Sequence, residues 1–426
     1  MSLTVRAGGA AWLAAAFLAT IGALPMAHAQ PKVSITGQIR FNAIYTDVAE
    51  TRGQTPITPS NVPFTAGPGE DRARKAADQI KFDARRTRLD LAVANNVGGV
   101  DTRGLVQIDF DTTEGTSTGV NARGPRLRLA YAEAKPAGGF VVRVGQQRTF
   151  VSDVSDGIMG GAGYPQIVNE AAWGILNARQ PGIQAAWFNP LGAGRLGVGA
   201  GVEQQSLALA TANVPAGALT TSGVTLNQAE GQNVPVFSAG VHYRDKLFSG
   251  FLRGAASRAR FTSTSATGGA QDAANVSLAA LSGDVTPFAH LTLFAQYWRS
   301  QGLNRLNIIG FPDVTVVDVD TGAGVRPETR PIRAKSWRVG GQYRVSTALR
   351  LNAVYEAVDM DASPSTFAIT DAATQLDRAR SLNVNFIYRF STNWETGLEF
   401  MRGRVGTLGS TEGEFKGVLA RLWYYF

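Results

Sequence analysis

From residue 33 onward, apolar and polar residues take turns along the chain in short runs separated by Gly, Pro, Asn, Asp and Ser. A period of two belongs to extended backbone, where successive side chains point to opposite faces. The runs are Val33–Thr46, Ile80–Ala94, Arg103–Asp111, Arg126–Lys135, Phe140–Gln147, Gln180–Phe188, Arg195–Gln204 and Val234–Tyr243. They continue with Leu247–Arg258, Asn275–Val285, Leu291–Gln301, Lys335–Val345, Leu349–Asp359, Arg380–Phe390, Trp394–Arg404 and Lys416–Phe426, sixteen in all. Most approach the roughly 9–11 residues that a tilted membrane strand needs. Their connections alternate between short ones, such as 136–139, 189–194, 244–246, 346–348 and 391–393, and long ones. The long ones cover roughly 47–79, 112–125, 148–179, 205–233, 259–274, 302–334, 360–379 and 405–415. The pattern predicts an all-β fold: a transmembrane antiparallel up-and-down β-barrel of about 16 strands, with short periplasmic turns and long extracellular loops. A propeller or a sandwich does not alternate its connections this way.

The last run sharpens the prediction. Val418, Ala420, Leu422, Tyr424 and Phe426 share one face, and the chain ends Trp423-Tyr424-Tyr425-Phe426. Aromatic rings suit headgroup depth, so a lipid-facing strand wants this ending. It resembles the terminal signature of bacterial outer-membrane barrels, which implies the barrel assembly machinery as a partner that reads Phe426. Trp187, Phe188, Tyr243, Tyr343, Tyr388, Phe390 and Trp394 lie beside other short turns and predict an aromatic girdle at the periplasmic rim. At the other end, Arg6, an apolar stretch from Ala10 to Ala23 and Ala27-His28-Ala29 have the layout of a cleaved secretory signal over 1–29. One barrel domain is then expected over 30–426, in the outer membrane and in contact with its lipid.

Composition agrees. A mean hydropathy of -0.05 is what alternating faces give when averaged. There is no Cys, hence no disulfide framework and no thiolate metal site. The net charge is +8, carried by 34 Arg and only 7 Lys. That bias favours planar, bidentate recognition of carboxylate or phosphate. Nucleic acid is not an expected partner, because no basic helix or zinc motif accompanies the charge.

Alternation also assigns the lumen. With Ile39, Phe41, Ala43 and Tyr45 outward, Arg40 points in; with Leu89, Leu91 and Val93 outward, Arg86 and Arg88 point in. With Leu127, Leu129 and Tyr131 outward, Arg126 and Arg128 point in, and Arg143 points in between Val142 and Val144. These six arginines are the expected pore-lining, substrate-binding set. Inward Asp90, Asp109 and Asp111 could hold some of them in ion pairs. An unbalanced remainder would draw anions into a narrow, low-dielectric passage. The connection 148–179, with Asp153, Asp156, a Gly-rich stretch and Tyr164, carries enough apolar residues to pack, and is expected to fold inward as a constriction loop.

Four motifs occur in order: Asp83-Ala84-Arg85-Arg86-Thr87-Arg88-Leu89, Arg126-Leu127-Arg128-Leu129-Ala130-Tyr131-Ala132-Glu133, Val144-Gly145-Gln146 and Arg179-Gln180-Pro181-Gly182-Ile183-Gln184. Together they resemble the DcaP-like, dicarboxylate-type outer-membrane porins, mainly between about residues 33 and 188. The resemblance implies a sixteen-stranded homotrimer that passes small organic acids, with Arg86, Arg88, Arg126 and Arg128 at the family's basic positions. Some members carry a helical N-terminal extension; here the first strand begins almost at the cleavage site.

The expected function is passive diffusion of small anionic solutes such as dicarboxylates, with no cofactor, no metal and no catalytic residue. A phosphate or polyphosphate porin is the main rival, since arginine serves both anions. A barrel enzyme is the weaker one: beyond His28 the chain has only His242 and His290, both near predicted turns, and lacks G-x-S-x-G and H-E-x-x-H.

Overall fold

The computed structural model describes residues 30–46, 79–110, 124–161, 174–204, 225–226, 234–265, 268–306, 313–320, 325–361, 376–408 and 412–426. The expected secretory signal, Asp111 and Tyr164 lie outside these residues.

Sixteen antiparallel strands form the wall: β1 Lys32–Thr46, β2 in two pieces (Gln79–Asp83 and Arg88–Val97), β3 Val100–Asp109 and β4 Arg126–Lys135. Next come β5 Phe140–Arg148, β6 Arg179–Leu191, β7 Gly194–Glu203, β8 Val236–Arg244, β9 Phe248–Ser265 and β10 Gly268–Phe288. The remainder are β11 Leu291–Gln301, β12 Arg333–Arg344, β13 Leu349–Asp361, β14 Leu376–Arg389, β15 Trp394–Thr407 and β16 Glu412–Tyr425. Each pairs with its sequence neighbours, and β16 closes on β1 from Gln38↔Tyr425 to Thr46↔Gly417. Closure leaves no sheet edge, as a structure in lipid requires. The terminal Phe426 is part of the seam: it exchanges backbone hydrogen bonds of 3.1 and 3.2 Å with Gly37.

The wall is apolar outside. Ile39, Phe41, Leu89, Leu91, Leu127, Val241, Leu252, Leu281, Val339 and Phe400 are all exposed. A ring of such residues is the inverse of a soluble protein, whose exposed apolar patches stay within a few hundred Å². At the short-turn end, Tyr388, Phe390, Trp394, Tyr424 and Phe426 pack in sequence at centroid spacings of 6.4, 6.2, 4.8 and 6.3 Å. Trp423 departs from this girdle: it is wholly buried, on the inward face.

Several expectations are corrected. The predicted long loop 259–274 is instead a β-hairpin, because β9 and β10 stay in register up to Ser265↔Gly268. Strands likewise extend through most of 405–415. The connection 302–334 holds a 3₁₀ turn at Asn304–Leu306 and a small hairpin, Val314–Asp320 with Val325–Pro331.

On β1–β4 two irregularities shift the alternation. On β1, Gln38 and Asn42 are four residues apart, whereas their partners Arg88 and Asp83 are five apart. The extra residue is absorbed in a turn at 84–87, closed by Thr87 N–H donating to the Ala84 carbonyl at 3.0 Å. Arg86 therefore sits in a turn, not in a strand, although it is buried. Between β3 and β4, Gln107 faces Leu129 but Ile108 faces Leu127, so Arg128 is the extra residue of a bulge. Beyond it the phase inverts: Leu127 is exposed, but Leu129 and Tyr131 are buried on the inner face, opposite to the sequence expectation.

Candidate functional site

The inner face of β2–β4 gathers Arg88, Arg126 and Arg128 around one carboxylate. Asp109 stands opposite Arg88 in the β2–β3 register. Arg126 grips it with two parallel bonds, Nε to Oδ1 at 2.9 Å and Nη2 to Oδ2 at 2.8 Å. Arg128 donates to the same carboxylate, and its Nε to Gln107 Oε1 at 3.0 Å. Such bidentate, charge-assisted bonds fix guanidinium planes as well as charge. Arg40 is buried on β1, and its backbone N–H donates to Thr87 Oγ1 at 3.2 Å, tying the strand to the turn that holds Arg86.

One level along, Arg143 Nε bonds Glu133 Oε2 at 2.6 Å, while its guanidinium lies 4.6 Å from the Tyr131 ring centroid. Its Nη1 also donates to the Asp156 carbonyl at 2.9 Å. Gly145 makes this seam possible: at φ +128° its position for a Cβ is 2.2 Å from the Ala130 carbonyl oxygen. Arg148, at the end of β5, donates from Nε to Asp156 Oδ1 at 2.8 Å and from Nη1 to Asn177. Burial alone would raise the Asp156 carboxyl, but the charge and hydrogen bond of Arg148, with Arg179 and Arg128 behind it, hold it below the usual carboxylate range.

Alternation does not assign Arg148 and Arg179 to the lumen set. They flank the loop at strand ends, where alternation assigns no face, and they stand opposite each other across β5 and β6. Arg88, Arg126, Arg128 and Arg148 all act electrostatically on Arg179. The five form one group, whereas Arg143 is set apart with Glu133.

Residues 149–161 run from this group to the inner face of β7–β11. Glu203 on β7 accepts from Thr149 Oγ1 at 2.6 Å and from the backbone N–H of Phe150 at 2.5 Å. Glycines make room for the loop's apolar side: a Cβ at Gly199 would meet Met159 Sδ at 3.0 Å and Phe150 at 3.1 Å. Asp153 accepts from Arg253 on β9, from Ser282 Oγ on β10 at 2.7 Å and from Gln296 on β11. Arg253 and Arg244 also donate to the loop carbonyls of Gly160 and Gly161, at 2.9 and 2.5 Å. On the return, Trp298 Nε1 donates to the Gly174 carbonyl at 2.7 Å. No cluster of three metal-ligating side chains occurs among the described residues.

Of the two histidines near turns, His242 is buried. It is 7 % exposed, on the inner face of β8, and stacks on Phe251 at 4.0 Å between centroids.

The comparisons match this architecture. The channel DcaP of Acinetobacter baumannii superposes with a TM-score of 0.67 at 19% identity, over 95% of this chain and 100% of that one. The trimer form of OmpT from Vibrio cholerae gives 0.52 at 14% identity, over 93% and 100%. OmpF of Salmonella typhi in complex with daunomycin gives 0.51 at 13%, over 93% and 98%. The likeness to DcaP read from four sequence motifs thus extends to the whole fold. Curated proteins yield no match. The family model of Gram-negative porins matches residues 11–407. With its closed sixteen-stranded barrel, the chain belongs to the Gram-negative porins, a family of outer-membrane channels.

Proposed function

We propose that this porin passes small anionic solutes, organic acids such as dicarboxylates foremost, by passive diffusion. The observation that carries the reading is the gathering of Arg88, Arg126 and Arg128 at Asp109, with Arg148 and Arg179 opposite each other on the next two strands. Like charges held together in a low-dielectric wall favour an anion entering beside them. Asp109 and Gln107 fix the donors in place, so an arriving carboxylate meets preset guanidinium planes. Residues 148–179 act as the constriction, with Asp153 fastening the loop to the opposite wall and Asp156 fastening it to Arg148. The protein works as a homotrimer, the form recorded for the OmpT neighbour. Phosphate is the second reading, supported by the same arginines, and is separated by competition.

The test is the reversal potential of the purified protein in a planar bilayer under a KCl gradient, with succinate or phosphate added. The native channel is expected to prefer anions and to show brief blocks by succinate. Replacing Arg86, Arg88, Arg126 and Arg128 together by Gln should weaken that preference in a folded barrel. Unchanged selectivity in a folded variant would sink the assignment; stronger block by phosphate than by succinate would favour the second reading.

A further inference from the structure

A second basic group lies at the opposite side of the loop, near the short turns that follow β6 and β8. The β7–β8 register sets Arg195 directly opposite Arg244. Both share the inward parity of His242, and like charges opposite each other on one face destabilise a sheet. Neither guanidinium meets a carboxylate among the described residues. Arg195 lies 4.5 Å from the Phe188 ring centroid, and Arg244 lies 5.8 Å from that of Phe251 while donating to the Gly161 carbonyl at 2.5 Å. Nearby carboxylates are engaged elsewhere: Asp245 accepts from the backbone N–H of Leu247 and Phe248, each at 2.8 Å, and Asp284 accepts from Ser249. Arg253 is different, being matched by Asp153.

His242 stands within electrostatic reach of Arg195, Arg244 and Arg253. It is 7 % exposed, is stacked on Phe251 with Phe188 edge-on at 6.4 Å, and neither ring nitrogen has a hydrogen-bond partner among the described residues. A neutral imidazole always carries one N–H, and a buried donor without an acceptor is costly. Two guanidiniums without a carboxylate and a buried imidazole without a partner share one remedy, an oxyanion that accepts from all three.

We propose that Arg195, Arg244 and His242 form an oxyanion-binding station on the periplasmic side of the loop, taking the carboxylate or phosphate group of a passing solute. The station deepens the anion-porin reading and rests on it. The aromatic faces of Phe188 and Phe251 fix the guanidiniums and keep water from one side of them. Two arginines on neighbouring strands suit a planar or tetrahedral group carrying two or more oxygens.

The experiment is single-channel block by inorganic phosphate and by succinate, each added to one side of the bilayer at a time. In Arg195→Gln/Arg244→Gln the half-blocking concentration from the periplasmic side should rise about tenfold, the scale of a lost charge-assisted hydrogen bond. Block from the extracellular side should change far less. Arg195→Glu gives Arg244 its missing partner: block should fall similarly while the barrel unfolds at a higher temperature, which a merely damaged fold would not do. Whichever probe the native channel holds better identifies the group as carboxylate or phosphate. Periplasmic block unchanged in both variants, in a channel that still prefers anions, overturns the station alone. A native channel with neither block nor anion preference overturns the porin reading above it.

Discussion

The inner wall has two halves that use arginine differently. Between β11 and β14 the register is unbroken, and these strands, with β15 beside them, place complementary groups in a ladder. Gln342 donates to Asn352 at 2.8 Å, Asn352 to Asn385 at 2.7 Å and Asn385 to Glu399 at 2.8 Å. Arg338 and Glu356 form a fully buried pair, and Arg350 and Arg389 share Glu395. Between β1 and β4, by contrast, the register slips twice, and both slips hold arginine: Arg86 in the turn and Arg128 in the bulge. A regular sheet pairs its charges with the neighbour opposite. A bulge inserts a side chain that no neighbour was laid out to match, which is how like charges come to crowd one carboxylate. The difference teaches that counting arginines does not separate paired guanidiniums from crowded ones; on β1–β4 the crowding goes with a slip in register.

Asp109→Ala breaks the comparison most severely. Asp109 is wholly buried and is bonded by both Arg126 and Arg128. Removing one partner from a buried ion pair costs about 3–5 kcal/mol, because charges are left uncompensated. The variant should lose its heat-resistant barrel mobility on gels at a distinctly lower temperature. Where it does fold, anion preference should rise. A variant as stable as the native protein would mean that water or counter-ions already screen the group.

The regular half supplies the control. Replacing Arg338 with Met and Glu356 with Leu together removes a fully buried pair at equal charge. Such replacements are often neutral or stabilising by about 1–4 kcal/mol. Reversal potential should stay at the native value, with thermal stability equal or higher. A shift in selectivity comparable to that of the four-arginine variant would show that the regular wall also steers ions, and the contrast between the halves would fall.

The same contrast explains what could be read from the sequence. Strand number, the outward set Ile39, Phe41, Leu89 and Leu91, and the aromatic series ending in Phe426 all follow from a period of two, because lipid penalises any slip on that face. The inward faces of Leu129 and Tyr131 do not follow: one extra residue at Arg128 inverts the phase, and no local sequence signal marks it. Arg148 and Arg179 lie where strand becomes loop. The partners of Asp153 come from β9, β10 and β11, more than 90 residues along the chain, a placement that only barrel closure creates. The hairpin of β9 and β10 was hidden because small polar residues such as Ser263 and Gly268 give extended backbone no alternation to display.

The loop's tie to the arginine group is the subtlest place to test the comparison, through pH. Asp156 is held below its ordinary 3.8 by Arg148, Arg179 and Arg128, which outweigh its burial. A carboxyl whose folded value is depressed contributes stability that is fully present above the unfolded value and is lost as pH falls through the folded one. Current through the native channel should therefore be equally quiet at pH 7 and pH 5. Fluctuations of the loop should grow only below about pH 3.8, as the Arg148–Asp156 bond is protonated away. Asp156→Asn should show small fluctuations at every pH, with no acid step of its own. If the native channel instead becomes noisy between pH 5 and pH 7, a group other than Asp156 holds the loop. If Asp156→Asn keeps the acid step, a group other than Asp156 fastens the loop, and the tie to the arginine group is not what acid releases.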